Sequence, residues 1–205
     1  MLIFDKLYGY IWGSAFRDVS NTYIIRDETT VIIDPGCYKS FTNLFGLMRN
    51  DGIEIQDVDL IINTHLHKDH CESNPMFMRK GALLTFHELE KDFTAYNYKA
   101  DLKLESFNTG SLDIEIIHTP GHTPGSIAIH LPDYETIICG DLIFENGLPG
   151  RTDIYGGNKK DMIRSIEKIK GYEPKYIMPG HGRIVEGKKG ISSLFDKALH
   201  ILSRY

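Results

Sequence analysis

The run Val58-Asp59-Leu60-Ile61-Ile62 leads, across Asn63, into Thr64-His65-Leu66-His67-Lys68-Asp69-His70. A short apolar run rich in β-branched residues reads as a buried strand. The segment after it then lies at the strand's carboxyl end, where open α/β sheets place their sites. Four metal-capable side chains, His65, His67, Asp69 and His70, fall within six positions. If the segment is extended, alternate residues share a face, so His65, His67 and Asp69 converge. His70 then points elsewhere and can serve a second ion. Imidazole and carboxylate suit zinc, iron, manganese or cobalt, and the lack of thiolate argues against a structural cysteine site. Lys68 and Asp69 break the H-E-x-x-H pattern, which sets two His one turn apart on a helix.

Three later segments carry the same residue types: Thr119-Pro120-Gly121-His122-Thr123-Pro124-Gly125-Ser126, Cys139-Gly140-Asp141, and Met178-Pro179-Gly180-His181-Gly182. Proline fixes φ and glycine permits unusual φ, so the doubled Thr-Pro-Gly holds His122 stiffly. Together and in this order, the motifs resemble those of the metallo-β-lactamase superfamily. The resemblance implies an α/β (α+β) fold, a four-layer αββα sandwich of two mixed β-sheets flanked by helices. It implies a single domain over residues 1–205, with the site along one edge. It also implies two divalent metal ions, zinc first, with iron or manganese as alternatives. His65, His67 and His122 would hold one; Asp69, His70 and His181 the other; Asp141 would bridge both. A metal-bridging hydroxide would attack a carbonyl carbon while one ion stabilises the oxyanion. Asp69 and Asp141 are the catalytic carboxylates on this reading, Asp69 also orienting the hydroxide.

Gly150-Arg151-Thr152-Asp153 resembles the same stretch of single-domain glyoxalase-II-like thioester hydrolases and of persulfide dioxygenases. The implied function is hydrolysis of a small thioester or related acyl substrate, as in a hydroxyacylglutathione hydrolase. Arg151 and Tyr155 are the candidate substrate contacts. An Arg151–Asp153 ion pair either shapes the mouth of the site or is a plain surface pair. Glyoxalase II proper adds a C-terminal helical domain with basic residues for glutathione. Here one helix follows His181, so the resemblance does not extend to glutathione recognition. The alternatives are a mononuclear iron persulfide dioxygenase, with iron on His65, His122 and Asp141, and a non-catalytic metal-binding protein.

With 205 residues, of which 41% are hydrophobic, the chain can bury a full core. A net charge of −5 and scattered Lys and Arg give no nucleic-acid surface. No apolar run approaches the roughly 20 residues that span a bilayer, and no signal peptide is evident. Cys37, Cys71 and Cys139 form no C-x-x-C pair, which suits a reduced compartment. The expectation is a cytoplasmic enzyme with a small-molecule substrate, monomeric or homodimeric. Cys71 reads as a small filler beside the site, with a ligand or redox thiol as the alternative.

Residues 22–26 and 30–34 read as a hairpin. Asp34 is either a turn former or a partner of a metal-bound imidazole. Ser40 is expected to cap a helix with Phe41, Leu44, Phe45 and Met48 inward. Another helix is expected over 72–80, then a strand over 82–86 with His87 as a capping or surface residue. Tyr96 and Tyr98 line a pocket or cover the core. Strands are expected over 112–118, 126–131, 136–139 and 175–178, with His118 and His130 structural. Asn158 caps a helix with Met162, Ile163, Ile166 and Ile169 inward. The last helix buries Ile191, Leu194, Phe195, Ala198, Leu199 and Leu202. Each β-rich half is expected to end in helices.

Overall fold

The apolar runs become strands buried on both faces. Residues 1–12, 18–91 and 96–204 are described by the structure, a computed structural model. Strands β1 (Leu2–Phe4), β2 (Leu7–Tyr10), β3 (Thr22–Ile25), β4 (Val31–Ile33), β5 (Leu60–Ile62) and β6 (Leu83–Thr85) form one sheet in that order. Strands β7 (Phe107–Asn108), β8 (Asp113–His118), β9 (Ile127–Leu131), β10 (Thr136–Gly140), β11 (Tyr176–Pro179) and β12 (Val185–Glu186) form the second. Hairpins run antiparallel, whereas β4–β5, β5–β6 and β10–β11 are parallel and need crossovers. Helix α1 (Tyr38–Asn50) supplies the first. The short helices α2 (Lys68–Cys71) and α3 (Asn74–Met78) supply the second, and α4 (Lys159–Lys170) the third. Helix α5 (Lys188–Arg204) follows β12.

Period-two alternation sorts side chains between layers. Val31, Ile33, Leu60 and Ile62 face the other sheet, meeting Ile114, Ile127, Ile129, Ile138 and Met178. Their neighbours Ile32 and Ile61 face outward, toward Leu44 and Met48 of α1. Ile137 and Cys139 face the other outer layer, under Ile166 of α4 and Phe195 and Ala198 of α5. Each fully buried Ile or Leu contributes about 1.5–3 kcal/mol of transfer free energy, so three such layers fix which face is which. The result is the expected αββα sandwich of two mixed sheets.

Several local expectations need correction. Ser40 does not cap α1: the helix starts at Tyr38 after Cys37, and Ser40 Oγ donates back to the Cys37 carbonyl at 3.0 Å. The helix expected over 72–80 is trimmed to α3, Asn74–Met78, with Ser73 and Asn74 buried at its start, and α2 precedes it as a separate turn. Among the described residues of the first half, α1, α2 and α3 all precede β6, and a short 3-10 turn, Glu88–Glu90, is the helical piece that follows it. Strands β1, β2, β7 and β12 extend the sheets in ways that the hydrophobic pattern does not announce. Asn158 does cap α4, accepting from the Lys160 and Asp161 amides.

Asp27 ties the two sheets together away from the site. In the β3–β4 turn its carboxylate accepts from Lys6 Nζ at 2.6 Å, Thr109 Oγ1 at 2.9 Å, and Ser111 N and Oγ at 2.8 Å each. The Lys6 bond first, and then those from Ser111 and Thr109, outweigh burial and hold this carboxyl below its ordinary range. A depressed folded-state pKa stabilises fully above the unfolded value of about 3.9, and that stability is lost as pH falls toward the folded value. Asp27→Asn should therefore cost roughly 1–3 kcal/mol at pH 7. Urea unfolding of both proteins at pH 7 and pH 3 checks this. The gap should narrow at pH 3, and a gap of equal size would refute the assignment.

Candidate metal centre

All seven predicted donors sit where the carboxyl ends of the parallel strands meet. His65 follows β5 by three residues, and Asp141 directly follows β10. His122 lies between β8 and β9, and His181 between β11 and β12. The segment is extended only as far as His67, the residue before α2, whose φ and ψ are −66° and 150°. The chain then closes a helical turn, with His70 N and Cys71 N donating to the His67 carbonyl at 3.0 and 3.2 Å. Helical residues step by about 100°. Asp69 therefore leaves the face of His65 and His67, and both Asp69 and His70 swing to a second group. That corrects the expectation that His65, His67 and Asp69 converge.

Two trios result, His65 with His67 and His122, and Asp69 with His70 and His181, and a third grouping, His65 with His70 and Asp141, spans them. Donor atoms within each lie within 4.8 Å of one another. His67 Nδ1 is 3.0 Å from His65 Nε2 and 2.9 Å from His122 Nε2. Asp141 stands between the trios. Its Oδ1 is 3.4 Å from His70 Nε2 and 3.6 Å from His181 Nε2, while its Oδ2 is 3.6 Å from His122 Nε2. Asp69 Oδ2 is 3.0 Å from His181 Nε2. Gly180 lets the last loop pass close by, since a Cβ there would run into Asp141 Oδ1 and His70.

Outer partners fix which ring nitrogen faces inward. His122 Nδ1 donates to the Arg151 carbonyl at 2.9 Å, leaving Nε2 a lone pair. Thr64 Oγ1 donates to Asp34 at 2.6 Å, so it accepts from His65 Nδ1 at 3.2 Å, again leaving Nε2 a lone pair. These two lone pairs meet at His67 Nδ1, an arrangement that calls for a cation. His70 Nδ1 donates to Asp34 Oδ2 at 2.8 Å. Among the described residues, His70 Nε2 and Asp141 Oδ1 are buried atoms with no hydrogen-bond partner. Asp34 is thus a partner of a site imidazole, adopting a left-handed φ of 51° to reach it.

Electrostatics point the same way. Burial, then the neighbouring imidazoles, push His65 well below its usual pKa and His67 down to about 4, so both are neutral donors. Burial works against a charged His70, but Asp34, Asp69 and Asp141 outweigh it and raise its pKa. Burial is likewise outweighed at Asp69 and Asp141, where His70 and His181 keep the carboxyls below their ordinary range. Three carboxylates, Asp34, Asp69 and Asp141, thus surround one imidazole. A divalent ion fits that place, and the donors present match zinc, iron or manganese.

A cavity of about 880 Å³ opens over His67, Asp69, His122, Asp141 and His181. Arg151 and Tyr155 stand at its lip, Tyr155 81% exposed. Arg151 is held by Asp153 through two bonds of 2.9 and 3.1 Å, an exposed pair of small energetic weight. Cys71 is buried, donates to the Leu66 carbonyl, and has its pKa raised by burial, as a filler should. His87 accepts from the Leu89 amide as a cap and stacks on His118, which in turn bonds the Pro124 carbonyl at 2.8 Å. Tyr96 and Tyr98 reach Glu72 and the Cys71 carbonyl and pack on the outer core.

Residues that carry no sequence signal complete the frame. Asn21 Nδ2 donates to the Pro179 and Gly182 carbonyls at 2.9 Å each, bracketing His181. Glu90, fully buried, reaches two of the donor loops at once.

The Methanocaldococcus jannaschii protein named "Probable metallo-hydrolase MJ0888" is 30% identical over 204 residues, covering 87% of this chain and 92% of that protein. A hydroxyacylglutathione hydrolase of Brucella ovis is 34% identical over 113 residues, but covers 55% of this chain and 43% of that one. Among solved structures, the metallo-beta-lactamase family protein TTHA1429 from Thermus thermophilus superposes with a TM-score of 0.83 at 18% identity, over 99% of this chain and 81% of that chain. The model of the metallo-beta-lactamase superfamily matches residues 15–181, a span that holds every donor described above, and the chain belongs to that superfamily.

Proposed function

We propose that this chain is a dinuclear metallohydrolase that cleaves a small acyl thioester. One observation carries the reading: the two oxygens of Asp141 face two separate donor trios. A mononuclear site on His65, His122 and Asp141 would leave His67, Asp69, His70 and His181 without a task. Two divalent ions bound there supply a Lewis acid for the carbonyl oxygen and lower the pKa of water toward about 7. The chain's own groups do the rest. His65, His67 and His122 would hold one ion, and Asp69, His70 and His181 the other, with Asp141 available to both. Asp69 stays an acceptor-only carboxylate that lines the cavity, so it takes a hydrogen bond from the attacking water and aims it. Arg151 and Tyr155 meet the part of the substrate that projects from the cavity. The thioester preference rests on the Gly150-Arg151-Thr152-Asp153 segment and on the partial likeness to hydroxyacylglutathione hydrolase.

Metal analysis of the purified protein should find two ions per chain. Thiol release from an acyl thioester should stop with chelator and return with zinc, iron(II) or manganese. Less than one ion per chain, with no gain on reloading, would sink the proposal. Oxygen uptake with a thiol persulfide by iron-loaded protein, without thioester cleavage, would instead establish the dioxygenase.

A further inference from the structure

We infer that Glu90 is a positioning residue that locks the three-histidine site together from behind, an inference that rests on the dinuclear reading. Glu90 belongs to no donor motif and its side chain is fully buried. Its Oε2 accepts from the Leu66 amide at 2.9 Å, between His65 and His67. Its Oε1 accepts from Thr123 Oγ1 at 2.5 Å and from the Gly125 amide at 2.9 Å, just after His122. One carboxylate therefore joins the two loops that carry His65, His67 and His122. Those loops are far apart in sequence, His67 and His122 being separated by 55 positions. Gly125 is shaped to this contact: a Cβ there would meet Glu90 Cγ at 2.8 Å. Thr123 Oγ1 is further held by Ser126 Oγ at 2.6 Å.

The clamp also answers an asymmetry of charge. The trio of Asp69, His70 and His181 has a carboxylate of its own and Asp34 behind it. The trio of His65, His67 and His122 contains no carboxylate and shares only Asp141. Glu90 is the buried acidic side chain set behind that all-histidine trio, acting through the Leu66 and Gly125 N–H groups and the Thr123 hydroxyl rather than on a ring.

Glu90→Gln is the discriminating variant because it keeps the shape. Every bond to Glu90 in this clamp comes from a donor. Turning the new amide one way sets NH₂ against Leu66 N–H; the other way sets it against Gly125 N–H, while Thr123 Oγ1 can turn to accept from it. Either orientation strands one backbone N–H of the clamp and weakens the link between the loops. Outer partners of ligands typically tune affinity by about 10–100-fold. Stepwise chelator competition should then show one ion weakened by about 10-fold or more and the other unchanged. Cobalt(II) loading should change the visible bands of that one site. Thr123→Val should move the same ion, and Thr123→Ser should restore it.

Two further outcomes overturn the inference: both ions weakened equally, which marks a general structural role, or neither affected. Amide hydrogen exchange on metal-free protein gives a readout that needs no ion. The Leu66 and Gly125 amides should be protected in wild type, and Glu90→Gln should release one loop from the other. Unchanged exchange overturns the clamp. A wild-type chain that binds no metal overturns the dinuclear reading separately, and the exchange result then decides the clamp alone.

Discussion

Asp141→Asn is expected to leave the chain folded while lowering hydrolysis by more than about 100-fold, since a shared ligand should matter at least as much as the outer partners that cost 10–100-fold. The reason lies in how the carboxylate is split. Oδ1 sits among His70 and His181, and Oδ2 beside His122. An amide offers one acceptor and one NH₂ group, so one side must receive donor protons where an ion should bind. On the proposed dinuclear reading it would also remove a negative charge from between two dications and raise their mutual repulsion. One ion should therefore be lost in preference to the other. Metal analysis with thioester turnover checks both statements, and thermal unfolding of metal-free protein checks the fold. His118→Asn is the control: His118 touches the Pro124 carbonyl and the His87 ring, not the donor groups, and should keep both ions. Two ions and near-normal turnover in Asp141→Asn would show the bridging assignment to be wrong.

The second large effect belongs to Asp34, and two substitutions separate its roles. Asp34 accepts from Thr64 N at 2.8 Å, Thr64 Oγ1 at 2.6 Å and His70 Nδ1 at 2.8 Å, while only 2% exposed. Asp34→Ala strands all three donors and puts a Cβ-only residue at φ 51°, where Asp and Asn are tolerated best. Removing one member of a buried charged pair costs about 3–5 kcal/mol. In a chain this size that lowers Tm by roughly 6–20 °C. Asp34→Asn keeps the volume and the left-handed backbone, so its stability loss should be smaller. Its NH₂ group would face His70 Nδ1, forcing the His70 proton onto Nε2 and turning a ligand lone pair into an N–H. The ion on Asp69, His70 and His181 should then weaken by about 10–100-fold. Calorimetry and stepwise metal titration of the pair test this. Equal metal loss in both variants, tracking Tm, would mean that Asp34 acts on stability alone.

Most donors could be read from the chain because their chemistry is local. Four of them lie within six residues, and the Thr-Pro-Gly brackets around His122 mark a stiff loop. Strands such as Val31–Ile33 and Leu60–Ile62 could be read because burial on both faces leaves only apolar residues. The N-terminal hairpin could not: Leu7-Tyr8-Gly9-Tyr10 carries a glycine and two tyrosines, and Gly9 is used to let Ile3 pack against it. Helix α2 is four residues of Lys-Asp-His-Cys, too short and too polar for any periodicity, so the motif looked extended where it turns. Glu90 was invisible for another reason. It stands in Glu88-Leu89-Glu90-Lys91, which reads as solvated surface, and only the fold reveals that its carboxylate is buried. Asn21 and Asp34 differ from ordinary turn residues in the same way, through partners far along the chain.

Both sheets are laid down in the order of the chain, β1 to β6 and then β7 to β12. During synthesis neither sheet has to reopen to admit a late strand. The first sheet is complete once residue 85 has emerged, while the strands that cover its inner face lie beyond residue 112. In that interval Tyr23, Ile25, Val31, Ile33 and Ile62 face solvent, the kind of transient apolar surface that promotes aggregation. The nascent chain then already displays His65, His67, Asp69 and His70, half of a cation trap with its other wall still unmade. Time spent at this stage is time in which that uncovered face can find another chain before its own second sheet arrives.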